Sequence, residues 1–310
     1  MRSGPASDPG IRRAAVKARA AAKVNPALLV GRRRADGYHE LVSVMQSVAL
    51  WDEVEVSLAA EGFELDVSGG ALPADESNLV LVAARELSRR ARDHPGARFR
   101  LRKGIPVAAG MGGGSADGAA ALLALDRLWG LRMPTVNLRR MAAEVGSDVP
   151  FCLDGGTQVA MGRGERLARA EVKGSLWWVL GIDAGELSTA VVYRRFDELG
   201  GGRDAADLAG GPGAVAGMLA ALAAGDLDAV GAAMVNDLEL ASFDLRPDLA
   251  AAKRRLLDAG ALGAMLGGSG PTMLALARDE DHAERLARSV RAPFARVEVA
   301  RAPVPGVAFG

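Results

Sequence analysis

One cysteine, Cys152, stands among 310 residues. No intrachain disulfide can form, which excludes a cystine-stapled secreted scaffold and makes a reducing compartment, the cytoplasm, the expected setting. An excess of charge of either sign is also missing, since 38 Lys and Arg balance 38 Asp and Glu. With no global basic field to draw nucleic acid or anionic lipid, any bound anion must be held locally. No apolar run approaches the roughly 18 residues of a membrane span, and the first twenty residues lack the apolar stretch of an export signal. Three histidines and one cysteine show no metal-type spacing, against a protein-only zinc site. A small-molecule partner remains, with neither nucleic acid nor membrane.

What is present is an ordinary globular balance, 49% hydrophobic and 25% charged. At roughly 150 residues per domain the length suggests two units with a cleft between them. Residues 1–12, rich in Gly, Pro, Ser and Arg, read as a flexible extension. The composition shift from Gly155-Gly156 to Gly162-Arg163-Gly164 places the division at 164, giving units of 13–164 and 165–310. Val16 to Val30, Leu41 to Val48 and Glu53 to Leu58 have strand character and make the opening third antiparallel β. Asp75, Glu76, Ser77 and Asn78 supply N-cap chemistry for a helix from Leu79 to about Arg92, before a short strand at Arg98 to Arg102. In the second half, strands at Leu176 to Ile182, Ala264 to Met265, Thr272 to Leu276 and Arg296 to Ala300 interleave with helices at Thr189 to Leu199, Gly213 to Ala224, Pro247 to Ala259 and Asp281 to Val290. Gly200 to Gly211 reads as a polar loop. The mixture is α/β of the α+β type rather than a doubly wound parallel sheet.

The glycine cluster is the strongest chemical signal. Gly110 and Gly112 to Gly114 remove four Cβ atoms just before an Ala- and Leu-rich helix that starts near Ser115 and runs to Trp129. Successive N–H groups can then converge on one anion, aided by the positive end of the helix dipole. A nucleotide phosphate is the natural occupant. The P-loop is excluded because the chain has no Gly-Lys pair, and the dinucleotide fingerprint fails at Ser115, where its last glycine belongs. His-Arg-Asp and Asp-Phe-Gly are also missing, which excludes a protein kinase.

Lys23 and Asn25 share a strand face by period 2, as part of a site or as an exposed edge pair. Asp148, in Gly146-Ser147-Asp148-Val149-Pro150, taken alone reads more readily as an N-cap than as a catalyst. Tyr38 and His39 follow a turn; each has a bland alternative, packing for Tyr38 and a solvated imidazole for His39. His94 and His282 read as surface histidines. Gly267 to Thr272 could be a hairpin loop, and Asn236 to Glu239 a helix cap.

In order, Lys23-Val24-Asn25, Arg34 to Leu41, Pro106 to Asp117, Gly146 to Phe151, Asn236 to Glu239 and Gly268 to Thr272 resemble the GHMP kinase superfamily. Asp36-Gly37-Tyr38-His39 and Gly146-Ser147-Asp148-Val149-Pro150-Phe151 are similar to the branch that acts on 4-diphosphocytidyl-2-C-methyl-D-erythritol. The resemblance implies an N-terminal ribosomal-S5-like domain, a C-terminal ferredoxin-like domain, and ATP-dependent phosphorylation of that substrate's 2-hydroxyl in the non-mevalonate isoprenoid precursor pathway. It further implies that Pro106, Val107, Ala108, Ala109, Gly110, Met111, Gly112, Gly113, Gly114, Ser115 and Ala116 hold the ATP phosphates, with magnesium accompanying ATP. It carries Asp148 over as the base and Lys23 as its partner, and Asn25, Tyr38, His39 and Tyr193 as substrate contacts, the two tyrosines stacking on cytosine. Three departures bear on the pocket: Met45 where an aromatic residue is common, Gly267 where Ser or Thr is common, and Pro26, which lacks an N–H. Competing expectations are another small-molecule kinase of the superfamily (homoserine, mevalonate or sugar kinase), a nucleotide-binding module without turnover, and a nicotinamide dehydrogenase.

Overall fold

The computed structural model describes residues 15–70, 72–91, 94–183, 185, 187–291 and 294–310, so the extension expected over 1–12 lies outside the described residues. The first lobe contains β1 (Val16–Arg33), β2 (His39–Ala59), β3 (Phe63–Ser68), α1 (Leu79–Arg90), β4 (Gly96–Arg102), α2 (Gly113–Trp129), α3 (Thr135–Val145), α4 (Val149–Asp154), β5 (Thr157–Gly162) and β6 (Arg166–Arg169). After it come β7 (Leu176–Ile182), α5 (Thr189–Glu198), α6 (Ala205–Ala209), α7 (Ala216–Ala224), α8 (Leu227–Ala232), β8 (Val235–Asn236), α9 (Glu239–Leu245) and α10 (Pro247–Asp258). The chain ends with β9 (Gly263–Leu266), β10 (Met273–Ala277), α11 (Glu280–Ser289), β11 (Arg296–Ala302) and β12 (Val307–Phe309).

Among the described residues the strands form two sheets. The larger has the order β12-β1-β2-β4-β3, with β5 on β2, β6 on β5 and β8 on β1. The smaller, β11-β7-β10-β9, is antiparallel throughout. Relative to the division expected at 164, the larger sheet also takes in β6, β8 and β12. The two runs expected at Leu41 and Glu53 are one strand. Ala21 pairs with Trp51 and Ala22 with Val48, so a register shift absorbs Ala49 and Leu50 without ending β2. This length lets β2 pair with β5 through Leu41 to Gln46 and with β4 through Glu53 to Ala59.

Pro26 sits at a second bulge. Val24 pairs with Gln46 and Ala27 with Val44, leaving Asn25 and Pro26 opposite Met45 alone. A missing N–H is harmless at such a position, and the bulge aims Asn25 into the cleft. Helix α2 is a buried Ala/Leu column between left-handed glycines, Gly112 before it and Gly130 after it. It starts at Gly113, two residues before the expected Ser115, because Gly112 already accepts from the Ala116 amide. Asn78 caps α1 through the Val80 amide as expected. The segment read as a polar loop, 200–211, contains α6 and leads into a 3₁₀ turn at Gly211–Val215, because Leu208 and Val215 find cover in the core. Trp178, fully buried in β7, donates its indole N–H to Gln46 on β2, joining the two sheets at 2.8 Å.

Candidate active site

Strand β1 brings Lys23 to the glycine loop, where the Lys23 amide donates to the Met111 carbonyl at 2.9 Å. Its ammonium donates to Asn25 Oδ1 at 2.8 Å, as period-2 placement on one face requires. Asn25 Nδ2 donates to Ser43 Oγ, which donates to the Ala27 carbonyl, both at 2.8 Å. Neither side chain is an exposed edge residue. Asp148 stands at the N-cap position of α4, yet its side chain caps nothing. Instead its Oδ2 lies 3.7 Å from Lys23 Nζ, so the carboxylate faces a cation and does not cap the helix. With Asp148 one-third exposed, that ion pair adds little stability, roughly 0–1 kcal/mol. Its consequence is positional.

The loop's glycines have identifiable neighbours. Gly112 has φ +70°, and a Cβ there would lie 2.9 Å from Lys23 Cγ. A Cβ on Gly113 would meet Lys103 Nζ at 3.2 Å, and one on Gly110 the Gly270 carbonyl at 3.1 Å. The loop is thus threaded between two lysine stems and rests on the second glycine turn. Thr272 secures that contact by donating to the Ala109 carbonyl at 2.7 Å. The run Asn236 to Glu239, whose bland alternative was helix capping, braces the same turn: Asn236 Nδ2 donates to the carbonyls of Leu266 and Gly268, and Glu239 accepts from the Leu266 amide. Asp237 accepts from the Val30 amide and binds Arg203 through two bonds.

A cavity of about 320 Å³ joins Lys23, Asn25, Gly110, Gly112, Asp148 and Tyr193, together with Ser43, Met45, Thr189 and Ser269. Met45 is buried in its wall and fills apolar space where an aromatic residue is common. Burial, and then the nearby Asp148 charge, push the Tyr193 phenol up to about 12, so it remains a neutral O–H donor. Burial above all also raises the Cys152 thiol, which leaves it unreactive.

Tyr38 and His39 are not among the lining residues. Tyr38 is 55% exposed at the rim, with the Arg163 guanidinium 4.8 Å from its ring centre. His39 is buried, not solvated: Nε2 lies 2.8 Å from Asp197 Oδ1, and its ring centre is 4.9 Å from that of Tyr193. His94, also read as a surface histidine, stacks on Trp129 at 4.9 Å with a 14° interplanar angle. Arg163, which lines the cavity and reaches Tyr38, was missed; it stands at the tip of the Gly162 to Gly164 turn that served only as a boundary. Lys103, Asp52 and Asp117, a buried cluster behind the loop, were also missed, since nothing local links residues that far apart.

The model of the GHMP kinases N terminal domain matches residues 78–156, and that of the GHMP kinases C terminal matches 218–296. The 4-diphosphocytidyl-2-C-methyl-D-erythritol kinase of Streptomyces coelicolor is 45% identical over 280 residues, covering 89% of this chain and 92% of its own. The enzyme of that name from Kineococcus radiotolerans is 47% identical over 290 residues, covering 91% and 87%. A crystal structure of 4-(cytidine 5'-diphospho)-2C-methyl-D-erythritol kinase superposes with a TM-score of 0.79 at 33% identity, over 93% of this chain and 99% of that one. The homoserine kinase of Cytophaga hutchinsonii, at 23% identity and a TM-score of 0.77, shares the fold. From these matches, laid over a glycine loop, a lysine and an aspartate that share one cleft, the chain belongs to the GHMP kinase family.

Proposed function

We propose that the chain is an ATP-dependent kinase that phosphorylates the 2-hydroxyl of 4-diphosphocytidyl-2-C-methyl-D-erythritol. The supporting observation is the approach of Lys23 Nζ to Asp148 Oδ2, 3.7 Å apart, at the mouth of the glycine loop. Residues Pro106 to Ala116 cradle the ATP phosphates through loop amides and the α2 N-terminus. Asp148 takes the proton of the hydroxyl as its oxygen attacks the γ-phosphorus, and the bond to the bridging oxygen breaks to release ADP. Lys23 offsets negative charge on the transferring group. Magnesium carried with ATP supplies further neutralisation of the phosphates. Among the described residues Asp148 is the one carboxylate lining the cavity, so it is the side chain that would face such a cation.

In this reading the cavity of about 320 Å³ takes the methylerythritol end and the cytidine end lies toward the rim. There Tyr38 and Tyr193 offer aromatic faces, His39 backs Tyr193 and is fixed by Asp197, and Arg163 supplies a cation suited to the diphosphate. Asn25 orients the hydroxyl-bearing end from the cleft floor. In this reading 13–164 forms the ATP lobe and 165–310 the second lobe, β6, β8 and β12 completing the first sheet, and the setting is cytoplasmic, in keeping with the single buried thiol of Cys152.

A substrate panel tests the proposal. With MgATP, phosphorus NMR should show a new phosphomonoester on the cytidine compound and none on mevalonate or homoserine. The reverse pattern would assign the chain to a different branch of the family.

A further inference from the structure

Behind the glycine loop, on the side away from the cleft, Lys103 Nζ is gripped by Asp52 Oδ2 and by Asp117 Oδ2, the latter at 2.7 Å. All three side chains are at most 2% exposed. The cleft chemistry uses none of them. We propose that Lys103, clamped by Asp52 and Asp117, is a positioning residue that sets ATP affinity through the glycine loop without touching the nucleotide. This rests on the reading of Pro106 to Ala116 as the ATP-phosphate loop.

Three contacts tie the clamp to the loop. Asp52 Oδ1 accepts from the amides of Gly104 and Ile105 at 2.7 and 2.8 Å, so the carboxylate holding the ammonium also holds the loop's entry. Asp117 lies in the opening turns of α2, so Lys103 bridges the loop's entry to the helix that forms its exit. The absent Cβ of Gly113 leaves the ammonium room to pack against the loop backbone from inside, as Gly112 does for Lys23 from the cleft. A freely hinged glycine segment would need no such bracing.

The clamp has two carboxylates for one ammonium, and Asp117 Oδ1 is buried with no partner among the described residues. Burial and the adjacent Asp52 push the Asp117 carboxyl up to about 8, so it is largely protonated at neutral pH and the cluster is then uncharged. The groups facing Asp117 are Lys103 and Asp52, with Cys152 of α4 beside it and the Lys23 and Asp148 pair acting on that thiol from beyond. Glu86 of α1 is engaged by Arg89 and Arg90. As pH rises through the Asp117 value, one uncompensated negative charge forms beneath a loop that must hold polyphosphate. ATP affinity falls in that direction.

Equilibrium binding of a magnesium-bound, non-hydrolysable ATP analogue, with steady-state kinetics, tests this on the full chain. Lys103→Met is expected to raise the analogue Kd and the KM for ATP by about tenfold, with kcat at saturating ATP changed far less. In the wild type the Kd should rise about fivefold between pH 7 and 9; in Asp117→Asn that rise should vanish. Gly112→Ala, which presses a methyl on the Lys23 stem, serves as the loop control. An unchanged Kd in Gly112→Ala would overturn the loop reading and the clamp with it. A weakened Gly112→Ala beside a folded Lys103→Met of unchanged Kd would overturn the clamp alone. Should Lys103→Met fail to fold, Asp117→Asn decides, because an undiminished pH slope there contradicts the proposal.

Discussion

Two lysines flank one glycine loop, and their surroundings are opposite. Lys23 lies in an open cleft, 3.7 Å from a partly exposed Asp148, with Asn25 completing its contacts. Lys103 lies in a dry interior between two carboxylates, out of reach of the cleft. A loose, wetted ion pair is a poor stabiliser and a good reaction site, because its members can exchange partners with a substrate. A dry, buried ion cluster holds structure and is costly to disturb. The same residue types, set against the adjacent glycines Gly112 and Gly113, thus meet opposite surroundings.

The contrast is sharpest in the variants that separate rate from stability. Asp148→Asn and Lys23→Ala should each lower kcat by about 10²–10⁴-fold while urea unfolding stays within about 1 kcal/mol of wild type. A large stability loss in either would mean that the cleft pair is scaffolding after all. Lys103→Ala should do the reverse to stability: with Asp52 and Asp117 left facing each other, unfolding should require about 3–5 kcal/mol less.

Asp117→Asn sharpens the comparison through pH. The carboxyl releases its proton at 3.8 in an unfolded chain and at about 8 in the folded one, so the folded state is progressively penalised as pH rises between those values. The amide carries no such penalty. Its stability relative to wild type should therefore grow from pH 4 to 8 and level off above, as followed by denaturant midpoints. The smallest expected effect lies at the rim, where Tyr38→Ala should raise the KM for the cytidine substrate up to about tenfold and leave the KM for ATP unchanged.

The open half of this comparison was largely legible in the sequence, and the closed half was not. Period 2 along β1 placed Lys23 and Asn25 on one face, and the glycine cluster before an alanine-rich helix announced the loop, because both signals are local. The approach of Asp148 to Lys23 was not legible in Gly146 to Pro150, where nothing separates a carboxylate that caps from one that faces a cleft. The Lys103 cluster joins residues 51 and 14 positions apart, and neither spacing has a meaning until β2, β4 and α2 are packed. His94 was misread as a surface histidine, and the solvated alternative for His39 could not be dismissed, for the same reason: their partners Trp129 and Asp197 arrive from later segments. Among elements, the strands and long helices followed their periodicity. The continuity of β2 and the presence of α6 depended on a register shift and on core cover that alternation does not encode.

The most direct measurement is a structure of the chain with a non-hydrolysable ATP analogue and 4-diphosphocytidyl-2-C-methyl-D-erythritol bound together. The substrate's 2-hydroxyl is predicted within hydrogen-bond distance of an Asp148 carboxylate oxygen and in line with the γ-phosphorus, the Lys23 ammonium on the γ-phosphate and Lys103 unmoved in its clamp. A 2-hydroxyl seated away from Asp148, or phosphates lying off the loop amides of Gly110 to Ser115, would contradict it.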